Sequence, residues 1–191
     1  YSVPFVRIPH NNSIWIQNVL DAGAKGLIVP MVKNFKDVKK FVRNAKFPPN
    51  GNRSFGYCKA NLFGINFFNY IDKFERDDLL LIAQIENINI FNDIENILSY
   101  PEIDGTFIGP YDLSGTMKIP GKFEDQNFKN ILSRYVKLSK KFNKAFGLHI
   151  IHPNKKNIKE FLEKGYTVLA LGTDAIFMYE QAKEILKFTK K

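Results

Sequence analysis

The sequence predicts a parallel α/β fold. Three observations carry this: six short apolar runs rich in β-branched and aromatic residues, helical patterns between them, and little strict alternation within the runs. A run that does not alternate is buried on both faces, as in a parallel sheet covered by helices. The order is βα repeated six times, which gives either a doubly wound sheet or a barrel.

The apolar runs are Val3 to Ile8, Gly26 to Val32, Leu79 to Ile85, Gly105 to Ile108, Ala145 to Ile151 and Tyr166 to Leu171. After the first, Asn12 or Ser13 can cap a helix carrying Ile14, Ile16, Val19 and Leu20, stopped by Gly23. Asn34 can cap the next, where Val38, Phe41 and Val42 have the i, i+3, i+4 spacing that packs a helix on a sheet. Further helices read at Asn87 to Leu98, Asp125 to Phe142, Lys155 to Lys164, with Phe161 and Leu162 on its apolar face, and Ala175 to Phe188. Lys46 to Asp78 breaks the rhythm. It opens on Pro48-Pro49-Asn50-Gly51, is rich in aromatics, and reads as a long loop with one short helix. A loop of that length in a compact domain usually has a function.

The chain has 191 residues, 45% hydrophobic and 25% charged, which excludes a disordered tail and suffices for one core. No apolar run approaches the roughly 18 residues of a membrane span, so a soluble, cytoplasmic protein is expected. The single cysteine, Cys58, excludes an intramolecular disulfide framework and a cysteine-rich zinc site. A net charge of +9, from 28 basic and 19 acidic residues, admits an anionic partner. The lysines are nevertheless spread over helix faces, with a cluster only at Lys183, Lys187, Lys190 and Lys191, so no nucleic-acid partner is expected. The sequence opens on Tyr1 without a methionine or a signal peptide and runs directly into a strand pattern, so a segment upstream is expected.

Sites in parallel α/β folds form at the carboxyl ends of the strands. Four runs deliver a charge there: Arg7 after the first, Glu86 after the third, Asp112 after the fourth through Gly109-Pro110-Tyr111, and Asp174 after the sixth through Gly172-Thr173. Glu86 and Asp112 lie about one βα unit apart, hence on neighbouring strands. Two hard carboxylates so placed suit Mg²⁺ or Mn²⁺ with water and substrate oxygens completing the shell. They equally suit the first turns of the following helices, where acidic residues meet the positive end of the helix dipole. His149 and His152, at i, i+3, lack a third ligand and read as structural, as does His10 in a turn. Cys58 has no base partner that would make it a nucleophile. Neither Gly51-Asn52-Arg53 nor Gly109-Pro110 is a phosphate-binding glycine motif.

Seven collinear stretches resemble the HpcH/HpaI family of metal-dependent class II pyruvate aldolases. They are Val6 to Pro9, Leu20 to Ala24, Ile28 to Val32, Phe47 to Arg53, Gln84 to Glu86, Asp104 to Ser114 and Leu171 to Asp174. The resemblance covers nearly the whole chain. It implies a TIM (β/α)8-type barrel, with residues 1–191 a single domain forming the C-terminal three-quarters of it and the first two βα units missing. It implies a homo-oligomer, typically a hexamer, with the C-terminal helix exchanged between subunits. It also implies a divalent metal cofactor, Mg²⁺, Mn²⁺ or Co²⁺, held by Glu86 and Asp112. Arg7 would be the catalytic contact to the keto oxygen of pyruvate. Gln84 would line the site, and the backbone of Gly109, Pro110, Tyr111 and Asp112 would hold the pyruvate carboxylate.

The implied reaction is metal-dependent aldol cleavage of a 4-hydroxy-2-keto acid to pyruvate and an aldehyde, with Lewis-acid and arginine stabilisation of the enolate. Two departures stand out. The family's catalytic histidine follows its second strand and has no counterpart here, and Lys59-Ala60 replaces the Arg-Ala of many relatives. Two other functions compete: an acyl-CoA lyase of the citrate-lyase β type, which Arg7-Ile8-Pro9 fits less well, and a basic binding protein on a decayed barrel.

Overall fold

The computed structural model describes residues 2–189, apart from the side chain of Asp77; Tyr1 and the tail lysines Lys190 and Lys191 lie outside the described residues. Six parallel strands form one sheet in sequential order: β1 Phe5–Arg7, β2 Gly26–Val32, β3 Leu80–Ile85, β4 Gly105–Ile108, β5 Ala145–Ile150 and β6 Val168–Leu171. The expected strands are all present: β2 and β4 have the expected bounds, and the other four are shortened at one or both ends. The sequential order is that of a barrel wall and not of a doubly wound sheet, whose strand order reverses at a switch point. Side chains from all six strands line one cavity at the carboxyl end, so the sheet curls around it.

The helices are α1 Ser13–Asp21, α2 Phe35–Ala45, α3 Phe67–Lys73, α4 Ile94–Ser99, α5 Pro110–Thr116, α6 Gln126–Lys141, α7 Lys155–Glu163 and α8 Asp174–Leu186. Asn12, not Ser13, caps α1 by accepting the Trp15 N–H at 2.9 Å, and Gly23, at φ +107°, lies just past its end. Asn34 caps α2, whose Val38, Phe41 and Val42 are buried. The helix expected over Asn87 to Leu98 is broken into a 3-10 segment, Ile88–Asn92, and α4. Asn87 caps the start of the first piece, and Asp93 lies at the junction of the two. Asn87 accepts the Asn89 N–H, and Asp93 accepts the Phe35 N–H at the start of α2. On α7, Leu162 is exposed and no residue is fully buried, so its expected apolar face is only partly covered.

One core lies between the sheet and its outer helices, built on Leu27, Val29, Leu81, Ala83, Phe41 and Ile97. The stretch from Lys46 to Asp78 is more ordered than a loop: it holds a 3-10 segment at Lys59–Gly64, α3, and a π turn at Phe74–Asp78. Arg53 anchors it. The guanidinium is fully buried, donates to Asp21 at 2.6 Å and Tyr70 at 3.1 Å, and lies 4.5 Å from the Phe47 ring centre. Among the described residues, no helix is long and apolar enough to cross a membrane.

Candidate functional site

The carboxyl rim gathers Arg7, Gln84, Glu86 and Asp112 around one cavity of about 490 Å³. The strands set this up by alternation, since residues two apart face the same side. Arg7 pairs with Ile28 across β1 and β2, Gln84 with Phe107 across β3 and β4, and His149 with Ala170 across β5 and β6. All six line the cavity, with Gly109, Pro110, Tyr111, Ile151 and Gly172 completing it. A second hollow of about 560 Å³ opens on the other side of Arg7, Glu86, Tyr111 and Asp112 and reaches Met31, Lys33 and Thr116.

The arginine and the first carboxylate are held by each other and by the sheet. Arg7 donates from Nε to Gln84 Oε1 at 3.3 Å, and its Nη2 lies 3.7 Å from Glu86 Oε1. The Arg7 side chain is half exposed, at 51%, while that of Glu86 is only 11% exposed. The other Glu86 oxygen, Oε2, accepts the Met31 N–H at 2.8 Å. That donor exists because β2 is irregular. Pro30 has no N–H for the ladder, the register shifts between Val29 and Val32, and Met31 adopts φ +58°. The Met31 N–H is thereby turned from the ladder toward Glu86.

Glu86 therefore does not cap the following helix; Asn87 does. Asp112 occupies the first turn of α5, where the dipole favours it, yet among the described residues its carboxylate makes no hydrogen bond or ion pair. Gly109 leaves room beside Glu86 and Gln84, because a Cβ there would come 3.0 Å from Glu86 Cγ and 3.1 Å from Gln84 Nε2.

The expected convergence of four charges is met by three. Asp174 accepts the Ala175 N–H at the start of α8 and does not line the cavity. His152 lines a neighbouring hollow between α6 and α7, and His10 is exposed on its turn. His149, read from the sequence as structural, lines the cavity itself. Its place on the inward face of β5 is the signal that strand parity carries and that a search for metal-ligand spacing passes over. The Met31 N–H had no sequence signal beyond Pro30 within a strand. No residue of the Lys46 to Asp78 stretch lines either hollow.

Among the described residues no three His, Cys, Asp or Glu side chains cluster to hold a metal ion. Glu86 and Asp112 supply hard carboxylate oxygens only, a donor set that fits Mg²⁺ or Mn²⁺ bound with water and substrate oxygens rather than an all-protein cage.

A curled sheet of parallel strands with an arginine and two carboxylates at its carboxyl rim defines the class: a barrel-like α/β protein with a candidate site at the end where such folds place catalysis. The chain belongs to the HpcH/HpaI aldolase/citrate lyase family, whose model matches residues 1–180. It is 33% identical over 172 residues to a hydroxypyruvate/pyruvate aldolase of Agrobacterium fabrum, covering 90% of this chain and 64% of that protein. It is 31% identical over 185 residues to a 4-hydroxy-2-oxo-heptane-1,7-dioate aldolase of Shigella flexneri, covering 96% of this chain and 68% of that one. The chain thus spans about two thirds of the length of these curated relatives. In fold it is similar to a family member from Burkholderia cenocepacia J2315, with a TM-score of 0.91 at 24% identity, covering all of this chain and 74% of the other.

Proposed function

We propose that this chain carries the keto-acid-holding wall of a class II pyruvate aldolase, which cleaves a 4-hydroxy-2-keto acid to pyruvate and an aldehyde. The observation that carries this reading is the single cavity shared by Arg7, Gln84, Glu86, Asp112 and the Gly109 to Asp112 turn. The aldolase names of the two curated relatives support it.

Glu86 and Asp112 would hold a divalent ion, which supplies Lewis acidity to a bound 2-keto acid. The chain's own residues do the rest. Met31 and Arg7 fix the two oxygens of Glu86 in place. The half-exposed Arg7 guanidinium offers its free edge to the ketone oxygen, where negative charge develops as the C3–C4 bond breaks. The first-turn amides of α5 at Tyr111 and Asp112, which have no intrahelical acceptor, face the keto-acid carboxylate. Gln84 holds Arg7 in register with Glu86.

The sheet has six strands, and both its edges carry exposed apolar side chains: Val3 and Phe5 by β1, Leu171 on β6. Two further βα units closing the barrel between these edges would cover them. Helix α8 has no buried residue and exposes Phe177, Met178, Tyr179, Ile185 and Leu186. That surface fits exchange of α8 within a homo-oligomer.

The test is Mn²⁺ binding by EPR on the full-length protein, with and without pyruvate. Binding that tightens with pyruvate, falls at least about tenfold in Glu86→Gln and is lost in Asp112→Asn is expected. A folded protein that binds no Mn²⁺ overturns the reading, as does one whose Asp112→Asn variant binds it unchanged.

A further inference from the structure

We propose that His149 is a specificity-determining residue that selects aldehydes bearing a hydroxyl group; this rests on the aldolase reading above. The cavity has two unlike walls. Arg7, Gln84, Glu86 and Asp112 make one of them polar and charged. The wall from β5 and β6 is Ile151, Ala170, Gly172 and His149, so among the described lining residues His149 is its one polar side chain. A keto acid held at the charged wall directs the rest of the substrate, the aldehyde-derived half, toward the apolar wall and that single polar group.

The hydrogen bonding of His149 determines what it can offer. Its Nε2 lies 3.0 Å from the Gly172 carbonyl oxygen. A carbonyl only accepts, so Nε2 carries the proton, and in the neutral ring Nδ1 is left as an acceptor. A neutral acceptor in apolar surroundings favours a hydroxyl donor. It gives nothing to a plain alkyl chain, which would leave it buried without a partner. The backbone that fixes the ring is itself tight. A Cβ at Gly147, two residues before, would come 1.9 Å from the Val168 carbonyl oxygen, so β5 and β6 approach closely where the ring is set. Gly172 turns out of β6 at φ +61°, which presents its carbonyl to the imidazole.

The experiment uses the full-length, Mn²⁺-supplied protein with pyruvate and two acceptors of nearly equal size, glycolaldehyde and propanal. The readout is the ratio of their kcat/KM values. A ratio of about 3–10 in the wild type is expected, as one neutral hydrogen bond gives. It should fall to near 1 in His149→Leu and be partly restored in His149→Asn, whose Oδ1 sits about where Nδ1 was. A ratio unchanged in His149→Leu overturns the inference. If that variant does not fold, the wild-type ratio together with His149→Asn decides: a wild-type ratio near 1 overturns it. The ¹⁵N spectrum of the His149 ring is a second measure independent of turnover, and a neutral ring protonated on Nδ1 overturns the inference. Failure of the aldolase reading shows separately, as no exchange of the pyruvate C3 protons with deuterium in the wild type, and it removes the inference along with its basis.

Discussion

Replacing Tyr135 by phenylalanine isolates one buried hydroxyl under the site. Tyr135 lies on α6, is fully buried, and packs its ring edge-on against Phe146 at 5.9 Å between centres. Its hydroxyl donates to the Thr106 carbonyl oxygen at 2.9 Å, lies 2.9 Å from Thr106 Oγ1 and accepts the Gly147 N–H at 3.3 Å. With its one proton given to the carbonyl, the oxygen's two lone pairs meet the Thr106 hydroxyl and the Gly147 amide, so every capacity of the group is used. Phenylalanine keeps the ring packing and removes all three bonds. The Thr106 hydroxyl, itself fully buried, then loses its acceptor, and leaving a buried polar group unsatisfied costs about 1–3 kcal/mol. With the weaker loss at Gly147 added, the expected destabilisation is about 2–3 kcal/mol. For a chain of this size that is a fall in melting temperature of about 5–10 °C. Thermal and urea unfolding of the two proteins, with an unchanged urea slope, measure it. A shift under about 1 °C would refute the argument that these bonds tie β4, β5 and α6 together.

Burial raises the phenol pKa values of Tyr135 and Tyr166 well above the ordinary value near 10, although hydrogen bonds from Thr106 and Gly147 pull Tyr135 partly back; burial also raises Tyr70 and Tyr100. The fold therefore prefers the protonated phenols, so their contribution is complete below about pH 10 and is lost as pH rises past it. Lys144, lowered by desolvation, acts in the opposite sense. Urea unfolding at pH 9 and pH 11 should show a clear fall in stability, and equal midpoints would contradict this. Arg53→Met leaves Asp21 without its cation and should cost about 2–3 kcal/mol, less than for a fully buried pair because Asp21 is partly exposed. A loss below about 0.5 kcal/mol in urea unfolding would show that the Arg53 guanidinium does not anchor the stretch.

The strands and helices were legible because their signals are local. Apolar runs without alternation, asparagines before helical patterns and Gly23 after one are properties of neighbouring residues, and β2, β4 and the caps of α1 and α2 follow them. Arg7, Glu86 and Asp112 were legible for the same reason, since a residue just past a parallel strand is committed to the carboxyl rim. Other features depended on partners distant in sequence. Asp93, at the break in an expected helix, reached Phe35, and Met31 turned its N–H to a carboxylate 55 residues on. Asp174 looked equivalent to Asp112 in sequence, but it bonds its own helix start instead of facing the cavity. The curl of the sheet brought His149 into the cavity that Arg7 lines. Sequence alone determined which chemistry stands at each strand end, because that is a matter of local conformation. Only the tertiary structure decided which of those groups share a cavity and which oxygens and amides remain free for a ligand, because that depends on strand register, sheet curvature and hydrogen bonds between distant segments.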